Sequence, residues 1–151
     1  MKKIFTFALL MFAANAVFAQ DAISKFFTKY QDDESFTQVL ISSKMFSMFT
    51  NMEVESKEDQ EVLNAISKLK GLKILAKENT SDARKLYKEA YSMIPLKEYE
   101  ELMSVRDKDK DMKFYVKETG GKISELLMVM GGADDFMIMT LFGEIDLKQV
   151  S

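Results

Sequence analysis

The spacing of apolar residues changes along this chain, and the change predicts its elements. Ile23, Phe26, Phe27 and Tyr30 fall at i, i+3, i+4 and i+7, one face of a helix over Asp21–Tyr30. Gln31 to Ser35 is a polar break, and Phe36 to Ile41 has the β-branched and aromatic content of a strand. Ser42-Ser43 offers an N-cap to a helix carrying Met45, Phe46, Met48, Phe49 and Met52. Ser56-x-x-Asp59 resembles a capping box ahead of the stripe Val62, Leu63, Ile66 and Leu69. Gly71 stands where that helix would end, and Leu72–Ala76 predicts a short strand. Thr80-Ser81 would cap a helix with Ala83, Leu86, Tyr87, Ala90 and Ile94 on one face, closed by Pro95. Leu96 to Arg106 fits both periods; a helical turn and then a strand from about Tyr99 is the preferred assignment.

From Met112 the period becomes two. Met112, Phe114 and Val116 alternate with Lys113, Tyr115 and Lys117. Thr119-Gly120-Gly121 predicts a hairpin loop, Lys122–Met130 a strand, Gly131–Asp134 a turn and Phe136–Phe142 the last strand. Gly143 to Asp146 would lead into a short C-terminal helix, with Asp146 as its N-cap and Glu144 beside it. The expected fold is α+β: an antiparallel-rich sheet of about five to six strands, helices packed mainly on one face, and a C-terminal four-strand meander.

The first residues stand outside this pattern. Met1-Lys2-Lys3 is basic, Ile4–Phe12 is apolar, and Val17-Phe18-Ala19 ends in a small residue. That is the layout of a secretory signal peptide, with cleavage expected after Ala19, leaving one domain over residues 20–151. Gln20 follows the junction and the chain has no cysteine, so a periplasmic or secreted protein is expected, not lipid-anchored and with no membrane span after cleavage.

Composition then strikes out chemistries. Without cysteine no disulfide can brace the domain, so packing must hold it. Without histidine, Ser-His-Asp and Cys-His nucleophile systems and ordinary zinc sites are excluded. A net charge of −3, more acidic still without Lys2 and Lys3, argues against a nucleic-acid partner. No cofactor is implied.

Phe36-Thr37-Gln38-Val39-Leu40-Ile41-Ser42-Ser43-Lys44-Met45-Phe46 resembles the opening strand–helix motif of a known family. Ile123-Ser124-Glu125-Leu126-Leu127-Met128-Val129 and Phe142-Gly143-Glu144-Ile145-Asp146-Leu147 resemble its closing motifs. The family is domain of unknown function 4252, exported proteins of Bacteroidetes. The resemblance implies export and an α+β domain; it supplies no activity, cofactor or catalytic residue.

Three groups of residues are candidates for function. Met128, Met130, Met137 and Met139 form same-face pairs on adjacent strands whose two faces are both largely apolar, so the face away from the helices needs a cover. Flexible methionine suits adaptable apolar contacts as well as core filling, and Met45, Met48 and Phe49 offer a second such face. Glu125, inside an apolar strand, is the candidate carboxylate; the plain alternative turns it outward to meet Lys113 or Lys117 across the sheet. Asp107, Asp109 and Asp111 occupy positions 1, 3 and 5 of an EF-hand-like loop, with Glu118 at position 12. Met112 replaces the glycine that the turn requires, so a solvated turn is expected. The leading expectation is therefore a non-enzymatic envelope domain binding a protein partner or apolar ligand. A carboxylate-dependent hydrolase or calcium-modulated module is the alternative, and a self-associating structural protein the third reading.

Overall fold

The computed structural model describes residues 21–146. Helix α1 (Asp21–Tyr30) is followed by strand β1 (Thr37–Ser42), helix α2 (Ser43–Met48) with a 3-10 turn at Phe49–Asn51, and helix α3 (Lys57–Ser67). Then come β2 (Leu69–Lys77), α4 (Ala83–Met93), β3 (Glu100–Arg106), β4 (Lys110–Thr119), β5 (Lys122–Gly132) and β6 (Phe136–Ile145). The strands form one six-stranded sheet in the order β1-β2-β6-β5-β4-β3, antiparallel at every pairing. The expected α+β class and four-strand meander, β3 to β6, are present. The β2–α4 excursion carries the chain past β6, which slots between β2 and β5.

Helices α1 and α4 share one side of the sheet. Their apolar faces, Ile23, Phe26 and Phe27 with Ala83, Leu86 and Ala90, close over Leu75, Leu127, Val129, Phe136 and Ile138. Phe26 lies 5.7 Å from Phe136, ring centre to ring centre. Leu75, Leu127 and Val129 are fully buried, each worth roughly 1.5–3 kcal/mol of burial. Gly131 lets α4 approach: a Cβ there would sit 2.5 Å from Cβ of Tyr87. Helices α2 and α3 pack on each other, and α2 also contacts β1 and β2.

Local chemistry explains most boundaries. Ser56 accepts from the Asp59 amide at 3.0 Å, the expected cap of α3. Gly120 and Gly121, at φ of 62° and 80°, form the left-handed pair that a tight hairpin needs.

Three boundary expectations are corrected. Gly71 does not end a helix: β2 begins at Leu69, Lys68 closes α3, and Gly71 pairs with Phe142. A Cβ at Gly71 would collide with the Phe142 ring at 2.3 Å, so glycine here makes room for an aromatic neighbour. Thr80 does not cap α4, which starts at Ala83; its hydroxyl accepts from the Asp82 amide in a local turn. Ser42 stands at the N-cap position expected for α2, though without a side-chain cap bond. The last strand runs past Phe142 through Gly143 and Glu144 to Ile145, with the Glu144 carboxylate paired to Lys122. The signal-peptide residues 1–20 and the C-terminal helix expected beyond Asp146 lie outside the described residues.

Candidate functional site

Register aligns the face opposite α1 and α4 into three rows across the sheet. The first is Val105, Met112, Met130, Met137, Ala76 and Thr37. The second is Met103, Phe114, Met128, Met139, Ile74 and Val39. The third is Glu100, Val116, Leu126, Leu141, Leu72 and Ile41. Only Thr37 and Glu100, both on edge strands, interrupt an apolar surface. With strands about 4.8 Å apart and same-face residues about 6.8 Å apart, it spans roughly 30 by 20 Å, on the order of 600 Å².

The four hairpin methionines occupy its centre. Met128 faces Met139 and Met130 faces Met137 directly across β5 and β6. None of these row residues belongs to the core closed by α1 and α4. Val116 and Met128, flanked by large neighbours, are buried; Met130, Met137, Met139, Phe114 and Leu126 are half-buried; Met103 and Val105 are exposed. The period-two pattern brought out the two methionine pairs. It missed Met103, Val105, Ile74 and Leu72, which join the patch only through the pairings of β3 and β2.

The second methionine candidate is built differently. Met45 and Met48 on α2 are exposed at 48% and 60%, Phe49 is half-buried, and Phe46 between them turns inward. One short helical face cannot assemble the breadth that three sheet rows give.

Glu125 lies on the helix side, at the end of the core. Its register partner is Lys117, the lysine expected to meet it, yet its carboxylate takes hydrogen bonds from two hydroxyls instead. Tyr99 Oη donates to Oε2 at 2.6 Å and Thr140 Oγ1 to Oε1 at 2.6 Å. Lys117 turns to Glu98 at 3.5 Å, and Lys113 to Glu101 at 3.7 Å. Burial, and then the Glu125 carboxylate, push the Tyr99 phenol far above its ordinary range, so it remains a donor. Glu125 lines a cleft of about 440 Å³ with Lys70, Lys73, Lys117, Tyr99 and Thr140; among the described residues no second carboxylate lines it.

The three loop aspartates do not converge. Asp111 turns to Arg84 at 2.6 Å and Arg106 at 3.1 Å, and the Arg84 bond, outweighing slight desolvation, holds its carboxyl below the usual range. Asp107 accepts from the Lys108 amide at 2.6 Å within the tight β3–β4 turn. Among the described residues no group of three or more acids is placed to hold a cation. No described helix is long and apolar enough to cross a membrane.

Fold and surface together define an α+β domain with helices α1 and α4 on one sheet face and an apolar methionine-rich field on the other. Residues 30–151 match the family described as Domain of unknown function (DUF4252), and the chain belongs to that family. No curated protein and no solved structure matches it.

Proposed function

We propose that this is an exported, non-enzymatic interaction domain of the cell envelope, whose working surface is the apolar sheet face centred on Met128, Met130, Met137 and Met139. The observation that carries the reading is the register itself, which lines three apolar rows across every strand of the sheet. A contiguous apolar patch of a few hundred Å² on a soluble monomer is often functional, and this face exposes Val39, Met103 and Val105 and leaves most of its other row residues half-buried.

The occupant is a protein surface. The face is broad, and no row residue lines the Glu125 cleft or the cleft between α2 and the start of β2, whereas small ligands are enclosed in pockets. Its area approaches the roughly 800 Å² per partner of a standard interface. Methionine side chains adapt to an irregular apolar counterpart without fixed rotamers. Export rests on the signal-peptide pattern ending at Ala19, and the absence of cysteine at Gln20 supports release without a lipid anchor.

A photo-crosslinking residue placed at Met139, on this face, and another at Lys88, on α4, test the surface in native envelopes. The expected result is a discrete adduct from position 139 alone, lost when Met130→Glu is added. Adducts of equal yield from both positions, or none from 139, contradict the reading. An adduct at twice the monomer mass would identify a second copy as the occupant. Glu125 supports a second reading, a carboxylate-dependent hydrolase, through its place in a cleft with a protonated phenol. A Glu125→Gln protein of unchanged stability and lost function would favour it.

A further inference from the structure

We infer that the helix-side cleft around Glu125 binds a sugar acid, a small ligand carrying a carboxylate on a hydroxyl-bearing ring. The inference stands apart from the apolar face. The cleft volume of about 440 Å³ lies within the roughly 300–1,000 Å³ of small-molecule sites.

Its charge is unbalanced in a specific way. Among the described residues Lys70, Lys73 and Lys117 line it against one carboxylate, Glu125. Lys117 is shared with Glu98. Lys73 sits mid-strand in β2, half-buried, with its ammonium 5.9 Å from the centre of the Phe142 ring, and no acidic side chain among the described residues pairs with it. Lys70 likewise has no ion-pair partner among the described residues. Lys73 is half-buried without a paired acid, and the exposed Lys70 stands beside it at the cleft mouth, so the two define a place for an incoming anion.

Glu125 supplies the other half of the recognition. A carboxylate has about four acceptor positions, and Tyr99 and Thr140 fill one on each oxygen. The remaining positions can take hydroxyl donors from a ligand. A plain anion would meet the lysines but be repelled by Glu125; a neutral sugar would satisfy Glu125 but leave the lysines unanswered. A ligand with both groups answers both. The Tyr99 and Thr140 bonds fix the carboxylate before the ligand arrives, which lowers the cost of ordering it.

The test is an amide-resonance titration of the purified protein with sodium glucuronate, run beside sodium acetate, glucose and inorganic phosphate. Glucuronate is expected to give saturable shifts at Lys73, Glu125 and Thr140, with the other three at least tenfold weaker. Lys70→Gln with Lys73→Gln should weaken glucuronate tenfold or more in a protein whose circular dichroism is unchanged. Glu125→Gln should narrow the preference for glucuronate over acetate, and Met130→Glu should leave the titration intact. Equal responses to acetate, phosphate and glucuronate would overturn the inference, leaving only a patch of cations. The absence of saturable shifts, or parent-like titration of the lysine variants, would overturn it too.

Discussion

Along β5, Leu127 and Val129 look toward α1 and α4, while Met128 and Met130, their chain neighbours, look away. Both sets are apolar, but they meet different surroundings. The helix side is a closed core at its centre, with fully buried Leu75, Leu127, Val129 and Ile138, and it turns polar toward Lys73, Lys117 and Glu125. The opposite side is apolar except for Thr37 and Glu100 on its edge strands, and it contributes nothing to that core. An antiparallel sheet with one solvated face ordinarily alternates apolar with polar residues. Here the alternation is apolar with apolar across β5 and β6, which is the pattern of strands meant to be covered twice.

The largest effect should separate the faces within one dipeptide. Val129→Asp would bury an unpaired charge and should leave no cooperative thermal transition, whereas Met130→Glu, able to reach water, should remain folded within about 1 kcal/mol of the parent. A Met130→Glu protein that also fails to fold would mean that this face is sealed core. Leu127→Ala should cost about 2–5 kcal/mol by denaturant titration, and Met139→Ala clearly less.

Next comes the seam between sheet and helix. Gly131→Ala forces a methyl against Tyr87, which must shift with the α4 backbone, so about 1–3 kcal/mol of stability should be lost. A neutral result would show that α4 is not held against β5.

The faces should also differ in alkali. The Tyr99 and Tyr115 phenols are both raised, foremost by burial, Tyr99 also by Glu125 and Tyr115 by the field of Tyr91 and Glu101. Their unfolded counterparts ionise near 10.0, so the unfolded chain then releases protons that the folded one keeps. The stability these two groups contribute is therefore complete below about pH 10 and declines above it. Tyr99→Phe and Tyr115→Phe should each reduce the alkaline slope, while Met139→Leu should leave it unchanged. At the acid end Asp111 works in the opposite sense: its contribution is present above the ordinary carboxyl value of 3.8 and fades as pH falls through its lowered folded value.

The smallest effect belongs to the second methionine candidate. Met45→Ser and Met48→Ser, on exposed positions of α2, should change stability by no more than about 0.5 kcal/mol and leave the crosslink at position 139 intact. Loss of that crosslink would move the working surface to α2.

The sequence shows some of this and hides the rest for physical reasons. Helical periods reveal α1, α3 and α4, and the period of two reveals the meander and its methionine pairs. What it hides is cross-strand. That β6 lies between β2 and β5 is decided by a long-range pairing, and only that pairing adds Ile74 and Leu72 to the methionine field. Gly71 reads as a helix stop because its true partner, Phe142, is far along the chain. Glu125 is noticeable as an acid within an apolar strand, but nothing local names Tyr99 or Thr140 as its donors. Lys73 carries a comparable signal, a lysine among Leu72, Ile74 and Leu75, which the strand pattern absorbs.

Methionine oxidation footprinting would show whether the methionine face is open in the free protein and covered in the envelope. Dilute purified protein and native envelopes would each be treated with hydrogen peroxide, and sulfoxide formation at every methionine read by mass spectrometry. Met103, Met130, Met137 and Met139 should oxidise readily in the purified protein and be protected in the envelope, while Met45 and Met48 should oxidise in both. Protection of the three hairpin positions already in dilute purified protein, or their full oxidation in the envelope, would contradict a face that is open when free and covered in place.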